Sequence, residues 1–219
     1  MPDFYRRNLP HWIPEGAMYF ITFRLANSLP AAVLQEFQAQ REREQSAIRT
    51  RFSGRQREQE LYNLDKKYFG HFDAWLDRCL AESPRWLAEE KIAQIVFQEI
   101  HALDGQRYRL IACCLMPNHV HLVIDTAGYS LTLSHDGPTA TYPLTDTLKR
   151  LKGRTARLCN LALGRSGQFW HPESYDHVIR DQTEYERILW YVLNNPVKAG
   201  MVEHWEDWKY TFIGQDEAV

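Results

Sequence analysis

Two histidines one residue apart, His119 and His121, are the side chains in this sequence best placed to do chemistry. In a β-strand, residues i and i+2 point to the same face about 6.5–7 Å apart, so both imidazoles can converge on one cation. An isolated His-x-His pair is more often two ordinary strand histidines, because two ligands do not make a site. Zinc would ask for a third ligand of the same kind, and no nearby Cys or His offers itself. The four cysteines, at 79, 113, 114 and 159, contain no C-x-x-C spacing and read as reduced, mostly buried thiols.

The elements that must position this pair follow from the hydrophobic pattern. Tyr108 to Leu115 reads as a buried strand, Met116-Pro117-Asn118 as a turn, and His119 to Asp125 as the returning strand of an antiparallel hairpin. Ala17 to Leu25 is aromatic and β-branched and reads as another strand. Ala88 to Leu103 has the apolar spacing of a core helix, ended by Gly105. Residues 31 to about 68 are polar and helical in character, a solvated hairpin with a turn near Ser53-Gly54 or, from the closeness of Arg41, Arg43, Arg49, Arg51, Arg55 and Arg57, a protruding basic edge. Residues 71–87 read as a short amphipathic helix followed by a loop. Residues 126–143 form a Gly/Ser/Thr-rich loop, and residues 144–163 a basic helix. Phe169 to Arg180 reads as a loop running into a short strand. A last helix opens at a Thr183-x-x-Glu186 capping box and ends at Pro196, since the residue before a proline disfavours the α region.

The chain has 219 residues, 44% hydrophobic and 13% aromatic, enough for one sizeable core. Its formal net charge of -2 excludes a protein that coats nucleic acid by bulk charge, though not one with a basic patch. No apolar run approaches the roughly 20 residues of a membrane helix. Arg6 and Arg7 are followed by no apolar core, so the N-terminus reads as no signal peptide and the protein as cytoplasmic.

Four blocks carry a family resemblance. MPNHVHLVI resembles the His-hydrophobic-His motif of the HUH single-strand DNA endonucleases, and in particular the REP-associated tyrosine transposases among the single-tyrosine transposases. YERILWYVLNNPVKAGMV resembles that family's tyrosine helix, FWHPESYDHVIRD its connector, and AMYFITFRL its first core strand. The blocks span residues 17–25 and roughly 92–209. His171 stands after Trp170 where a glutamine is commoner, and residues 31–87 match nothing specific. The resemblance implies one α+β domain over residues 1–219, a ferredoxin-like HUH core. It would have a four- or five-stranded antiparallel sheet, helices on one face, an N-terminal arm at 1–16 and a helical insertion at 31–87. It further implies metal-dependent cutting and rejoining of single-stranded or hairpin repeat DNA through a 5′-phosphotyrosine, by a monomer or a homodimer. A nucleic-acid-binding protein without catalysis on the same fold is the alternative.

The residues can be read in that light. Tyr191 and Asn195 are i and i+4 and share a helical face. The Asn195 amide oxygen can complete a cation site with His119 and His121, a donor set that suits Mg²⁺ or Mn²⁺ better than structural zinc. Taken alone, Tyr191 is an ordinary core aromatic; beside such a site it becomes the candidate nucleophile. Tyr175, near His177 in the connector, is the rival. Lys149, Arg150, Lys152, Arg154 and Arg157 could track phosphates, or simply form a solvated face. Arg6, Arg7 and Trp12 on the arm could contact single-stranded or hairpin-flanking DNA.

Overall fold

The computed structural model describes residues 16–129 and 143–215. Five strands, β1 (Met18–Arg24), β2 (Arg109–Leu115), β3 (His119–Asp125), β4 (Tyr175–Val178) and β5 (Thr211–Ile213), form one sheet in the order β4-β1-β3-β2-β5. Every pairing is antiparallel. The helices are α1 (Ala31–Arg51), α2 (Gly54–Arg78), α3 (Glu90–Leu103), α4 (Pro143–Ala162), α5 (Gln182–Leu193) and α6 (Asn195–Lys198). Without β5, the strand order and the β-α-β-β-α-β succession are those of a ferredoxin-like sheet. The α+β class and the antiparallel sheet match the expectation.

The helices do not lie on one face, as expected, but on both. Tyr19, Ile21, Phe23, Val120, Leu122 and Ile124 share a core with Ile92, Val96 and Ile100 of α3 and Leu148 and Leu151 of α4. The alternate positions Phe20 and Val123, with Ile111 and Ala112, pack instead against Ile188, Leu189 and Val192 of α5. Strands buried on both faces read as continuous apolar runs. IACC and LVI have that character, and both sides are sealed.

Residues 31–87 also differ from the expected plan. The turn at Ser53-Gly54 is present, with Gly54 at φ 53°, a conformation glycine adopts without a Cβ clash. The second helix, however, runs unbroken through Gly70 to Arg78. An internal glycine costs only about 1 kcal/mol, and Leu64, Tyr68 and Leu76 bury one continuous stripe of α2. The hairpin's two helices are joined by Arg41–Asp65 at 2.7 Å and Lys67–Glu44 at 2.9 Å. It is also tied to the rest of the fold: Tyr62 and Lys66 reach Glu184 of α5 at 2.6 and 2.5 Å. The Asn118 amide donates to the Leu76 carbonyl at 3.0 Å.

α5 begins one residue before Thr183. Its N-cap is Asp181, whose carboxylate accepts the Glu184 N–H at 2.8 Å. The capping signal therefore sits two residues upstream of the expected Thr183-x-x-Glu186. The helix closes at Leu193. Pro196 lies in the first turn of the single-turn α6, just after Asn195, where its missing N–H is no loss.

Candidate functional site

Sheet register assembles the site. One cross-strand row runs Tyr175, Thr22, His121, Cys114, Thr211, and the next pairs Arg24 with His119. Paired residues share a face, so both histidines, Thr22, Arg24 and Tyr175 lie on the face that α2 and α5 cover. His119 and His121 are fully buried.

The second ring nitrogens are committed. Asn118 donates its amide nitrogen to Leu76, which turns its oxygen toward His119 Nδ1 at 2.7 Å. A carbonyl oxygen only accepts, so Nδ1 carries the proton and His119 Nε2 presents a lone pair. His121 Nδ1 meets the Thr22 hydroxyl at 2.8 Å. The two Nε2 atoms then face each other at 3.0 Å. Such partners fix ring orientation and tautomer in metal-binding histidines.

The third member of the cluster comes from the stretch that matched no motif. Asp73 of α2 is 0% exposed; its Oδ1 lies 3.3 Å from His121 Nε2 and 3.7 Å from His119 Nε2 and makes no hydrogen bond. One donor atom from each of Asp73, His119 and His121 lies within 4.8 Å of the others, a group that could hold a metal ion. Burial would raise the Asp73 carboxyl, but His121, His119 and Lys198 outweigh it and hold it at about 2. Burial, then His121, pulls His119 down to about 3, so its ring is neutral at pH 7. Burial, then Asp73, raises Asp77 to about 6. An orphaned buried carboxylate oxygen facing two imidazole Nε2 atoms is a donor set that a divalent cation fits once both nitrogens are free of protons.

Tyr191 is brought to this group. Its hydroxyl donates to Asp73 Oδ2, and its ring lies edge-on to His121 with centroids 5.5 Å apart. Lys198 Nζ stands 3.9 Å from Asp73 Oδ2 and 5.4 Å from the Tyr191 ring centroid. Asn195 is also fully buried, and both polar atoms of its amide lack partners. It belongs to α6 rather than to the helix of Tyr191, so the two do not share one continuous helical face as expected. Tyr175 lies on the same sheet face, two strands from β3. It packs parallel to His177 at 6.3 Å and edge-on to Phe20 at 6.2 Å, and burial raises its phenol.

The basic helix is placed elsewhere. α4 packs on the opposite face of the sheet from the histidines. Lys152 Nζ is bound to the carbonyls of His171 and Pro172 and to the Ser174 hydroxyl, at 2.8, 3.0 and 2.9 Å. Arg154 pairs with Glu99 of α3 at 2.7 Å. Lys149, Arg150 and Arg157 are exposed. Arg6, Arg7 and Trp12 lie outside the described residues.

Asp73 is the residue that sequence reasoning missed. Its signal was a carboxylate set within the apolar stripe of α2, between Tyr68 and Leu76, where a solvated helix would carry it outward.

Comparison with known proteins agrees with the motifs. The chain is 25% identical over 113 residues to a Haemophilus influenzae protein provisionally named a REP-associated tyrosine transposase. It is 23% identical over 111 residues to the REP-associated tyrosine transposase of Escherichia coli. These matches cover 50% and 51% of the chain, and 61% and 58% of the relatives, so the chain spans about three fifths of their length. A solved structure of a REP-associated tyrosine transposase bound to a REP hairpin aligns over 93% of this chain and 80% of that one. Its TM-score is 0.46, at 14% identity. No family model matches the chain. Among the described residues, no helix is long and apolar enough to cross a membrane.

Proposed function

We propose that this protein is a DNA strand transferase that cuts and rejoins single-stranded or hairpin DNA through a covalent bond to Tyr191. The observation that carries this reading is the Tyr191 hydroxyl on Asp73, the carboxylate that also faces both histidine Nε2 atoms. Similarity to proteins named transposases supports it.

His119, His121 and Asp73 would hold Mg²⁺ or Mn²⁺, with the unpartnered Asn195 amide as a further oxygen donor. Bound there, a divalent ion would neutralise phosphate charge and stabilise the charge that develops in the transition state. The chain's own groups do the rest. Asp73 Oδ2 fixes where the phenol oxygen points. That oxygen forms the new bond to phosphorus, the bond from phosphorus to the 3′ oxygen breaks, and the phenol's proton balances the leaving 3′ alkoxide. The 5′-phosphate stays on the tyrosine, and a second 3′-hydroxyl reverses the step, so strands are rejoined without an external energy source. α5 and α2 cover the site from above, which limits attack by water. Tyr191 is favoured over Tyr175 because its hydroxyl reaches Asp73 and its ring lies edge-on to His121.

The test is adduct formation with end-labelled hairpin oligonucleotides bearing single-stranded flanks. A protein–DNA adduct is expected in Mn²⁺ and not in EDTA. It should be absent in Tyr191→Phe and retained in Tyr175→Phe. An adduct that persists in Tyr191→Phe moves the nucleophile; cutting without any adduct makes water the nucleophile and ends the reading.

A further inference from the structure

A concentration of unbalanced charge lies at the far end of the α1–α2 hairpin. Residues 45–57 contain Arg49, Arg51, Arg55 and Arg57 and no Asp or Glu, in a chain whose formal net charge is -2. All four arginines are exposed, and none forms an ion pair among the described residues. Arginines farther from the turn are used within the hairpin itself. Arg41 pairs with Asp65 at 2.7 Å, and Arg43 Nε donates to the Ala39 carbonyl at 3.2 Å.

The stability of the fold does not account for the tip. No residue of α1 is buried, and α2 has no buried residue before Leu64, so the outer part of the hairpin packs on little else. Arg49 and Arg51 stand in the last turn of α1, where the helix dipole favours a cation. Arg55 and Arg57 stand in the first turn of α2, where it disfavours one, and no acidic residue offsets them there. Four guanidiniums gathered at one turn also repel one another. A partner with several regularly spaced negative charges reverses both costs, and the guanidinium fork matches the geometry of phosphate oxygens.

The length of the hairpin narrows the partner. α2 runs unbroken from Gly54 to Arg78. At about 1.5 Å per residue, the tip lies about 29 Å along that helix from Asp73 in the candidate site. Duplex DNA rises about 3.4 Å per base pair, so this reach spans roughly eight base pairs. A duplex keeps such a spacing because it is stiff over about 150 base pairs; a flexible single strand does not. Resting on the strand-transfer reading, we propose that Arg49, Arg51, Arg55 and Arg57 grip backbone phosphates of a duplex stem, about eight base pairs from the phosphate that Tyr191 attacks. Phosphate contacts carry no sequence information, so the tip sets the direction of the stem and not which stem is bound.

The probes are fluorescent DNA hairpins with stems of five or twelve base pairs and the same single-stranded flank, with binding followed by anisotropy over about 50–200 mM salt. All four arginines are exposed, so alanine variants keep the fold. On the long stem, the Arg49→Ala/Arg51→Ala/Arg55→Ala/Arg57→Ala variant is expected to bind at least about tenfold more weakly than wild type at the low-salt end. Its log–log salt slope should be shallower by about 1.8–3.6, counting two to four phosphates at about 0.9 each. On the short stem, which ends before the tip, both proteins should bind alike. Arg55→Ala/Arg57→Ala should show about half the change in slope. An unchanged slope on the long stem overturns the proposal. An equal loss on both stems also overturns it, because it places the arginines on the flank. Adduct assays on the same probes separate the two readings. Adducts with an unchanged slope remove the tip proposal alone. A loss confined to the long stem, without adducts from any probe, keeps the tip as a duplex-binding surface and removes strand transfer.

Discussion

Replacing Asp73 by Asn tests which side chain completes the histidine pair. The change keeps an oxygen acceptor for the Tyr191 hydroxyl and keeps the volume, but removes a charge. That carboxylate is already stripped of water, with Oδ1 unbonded 3.3 Å from His121 Nε2. Its desolvation is therefore met on folding, and its attraction for a cation is not spent again on binding. Removing even an outer-shell partner of a metal ligand typically costs 10–100-fold in affinity, so losing the charged ligand itself should cost at least that. At a Mn²⁺ concentration about 100 times its dissociation constant, the wild type gains about 2.7 kcal/mol of stability by linkage. The variant's gain should fall to about 0.4–1.4 kcal/mol at the same concentration. The assay is urea unfolding with and without Mn²⁺, each protein compared with itself, since the metal-free forms also differ. If Asp73→Asn keeps the full Mn²⁺ gain while Asn195→Ala loses it, Asp73 is not a ligand and the amide is.

Tyr191→Phe should abolish the adduct and also lower stability by about 1.5–3 kcal/mol, since it removes a hydrogen bond to a buried carboxylate; unchanged stability in chemical denaturation would deny that bond. Glu184 is held at about 2 by Lys66, Tyr62 and the Arg180 N–H, against a burial effect that would raise it. Its contribution of roughly 3 kcal/mol is therefore present above pH 4.5 and lost as pH falls toward 2. Glu184→Gln should be less stable than wild type at pH 7, with the gap closing over that window; a pH-independent gap would mean packing, not charge. Arg150→Glu should weaken binding to all hairpin sequences alike and flatten the salt dependence, if strand DNA reaches the exposed side of α4. Arg154→Glu should instead destabilise the fold by setting two carboxylates together at Glu99, read as a lowered unfolding midpoint.

What the sequence made legible is what local geometry encodes. His119 and His121 share a face because strands alternate, and that holds whatever surrounds them. Tyr191 fell near them because the helix bearing it packs its apolar stripe on the same strands. The presence of helices on both faces was also written in the sequence, in runs such as LIACCL with no polar alternation. The hairpin reading used the strands' pairing and not their two-sided apolar character. Asp73 was not legible in that way. It is 46 residues from His119, on a helix whose mean character is polar. Only the tertiary placement of that helix turns one of its carboxylates inward. The run of Lys and Arg along α4 likewise carries no information about which side of a sheet its helix will cover.

The placement of Asp73 changes what residues 31–87 are. A pendant insertion could be removed with the site intact. Here the same helix pair supplies the carboxylate between the histidines and Tyr191 and reaches Glu184 of the tyrosine helix through Tyr62 and Lys66. Tyr191 and Glu184 lie on one helix, α5, and α2 touches both. A shift of α2 along its axis would therefore move the tyrosine's hydrogen-bond partner and its helix anchor together. Stabilising the hairpin and ordering the nucleophile are one process in this fold, so deleting residues 31–87 should cost adduct formation even where the sheet survives.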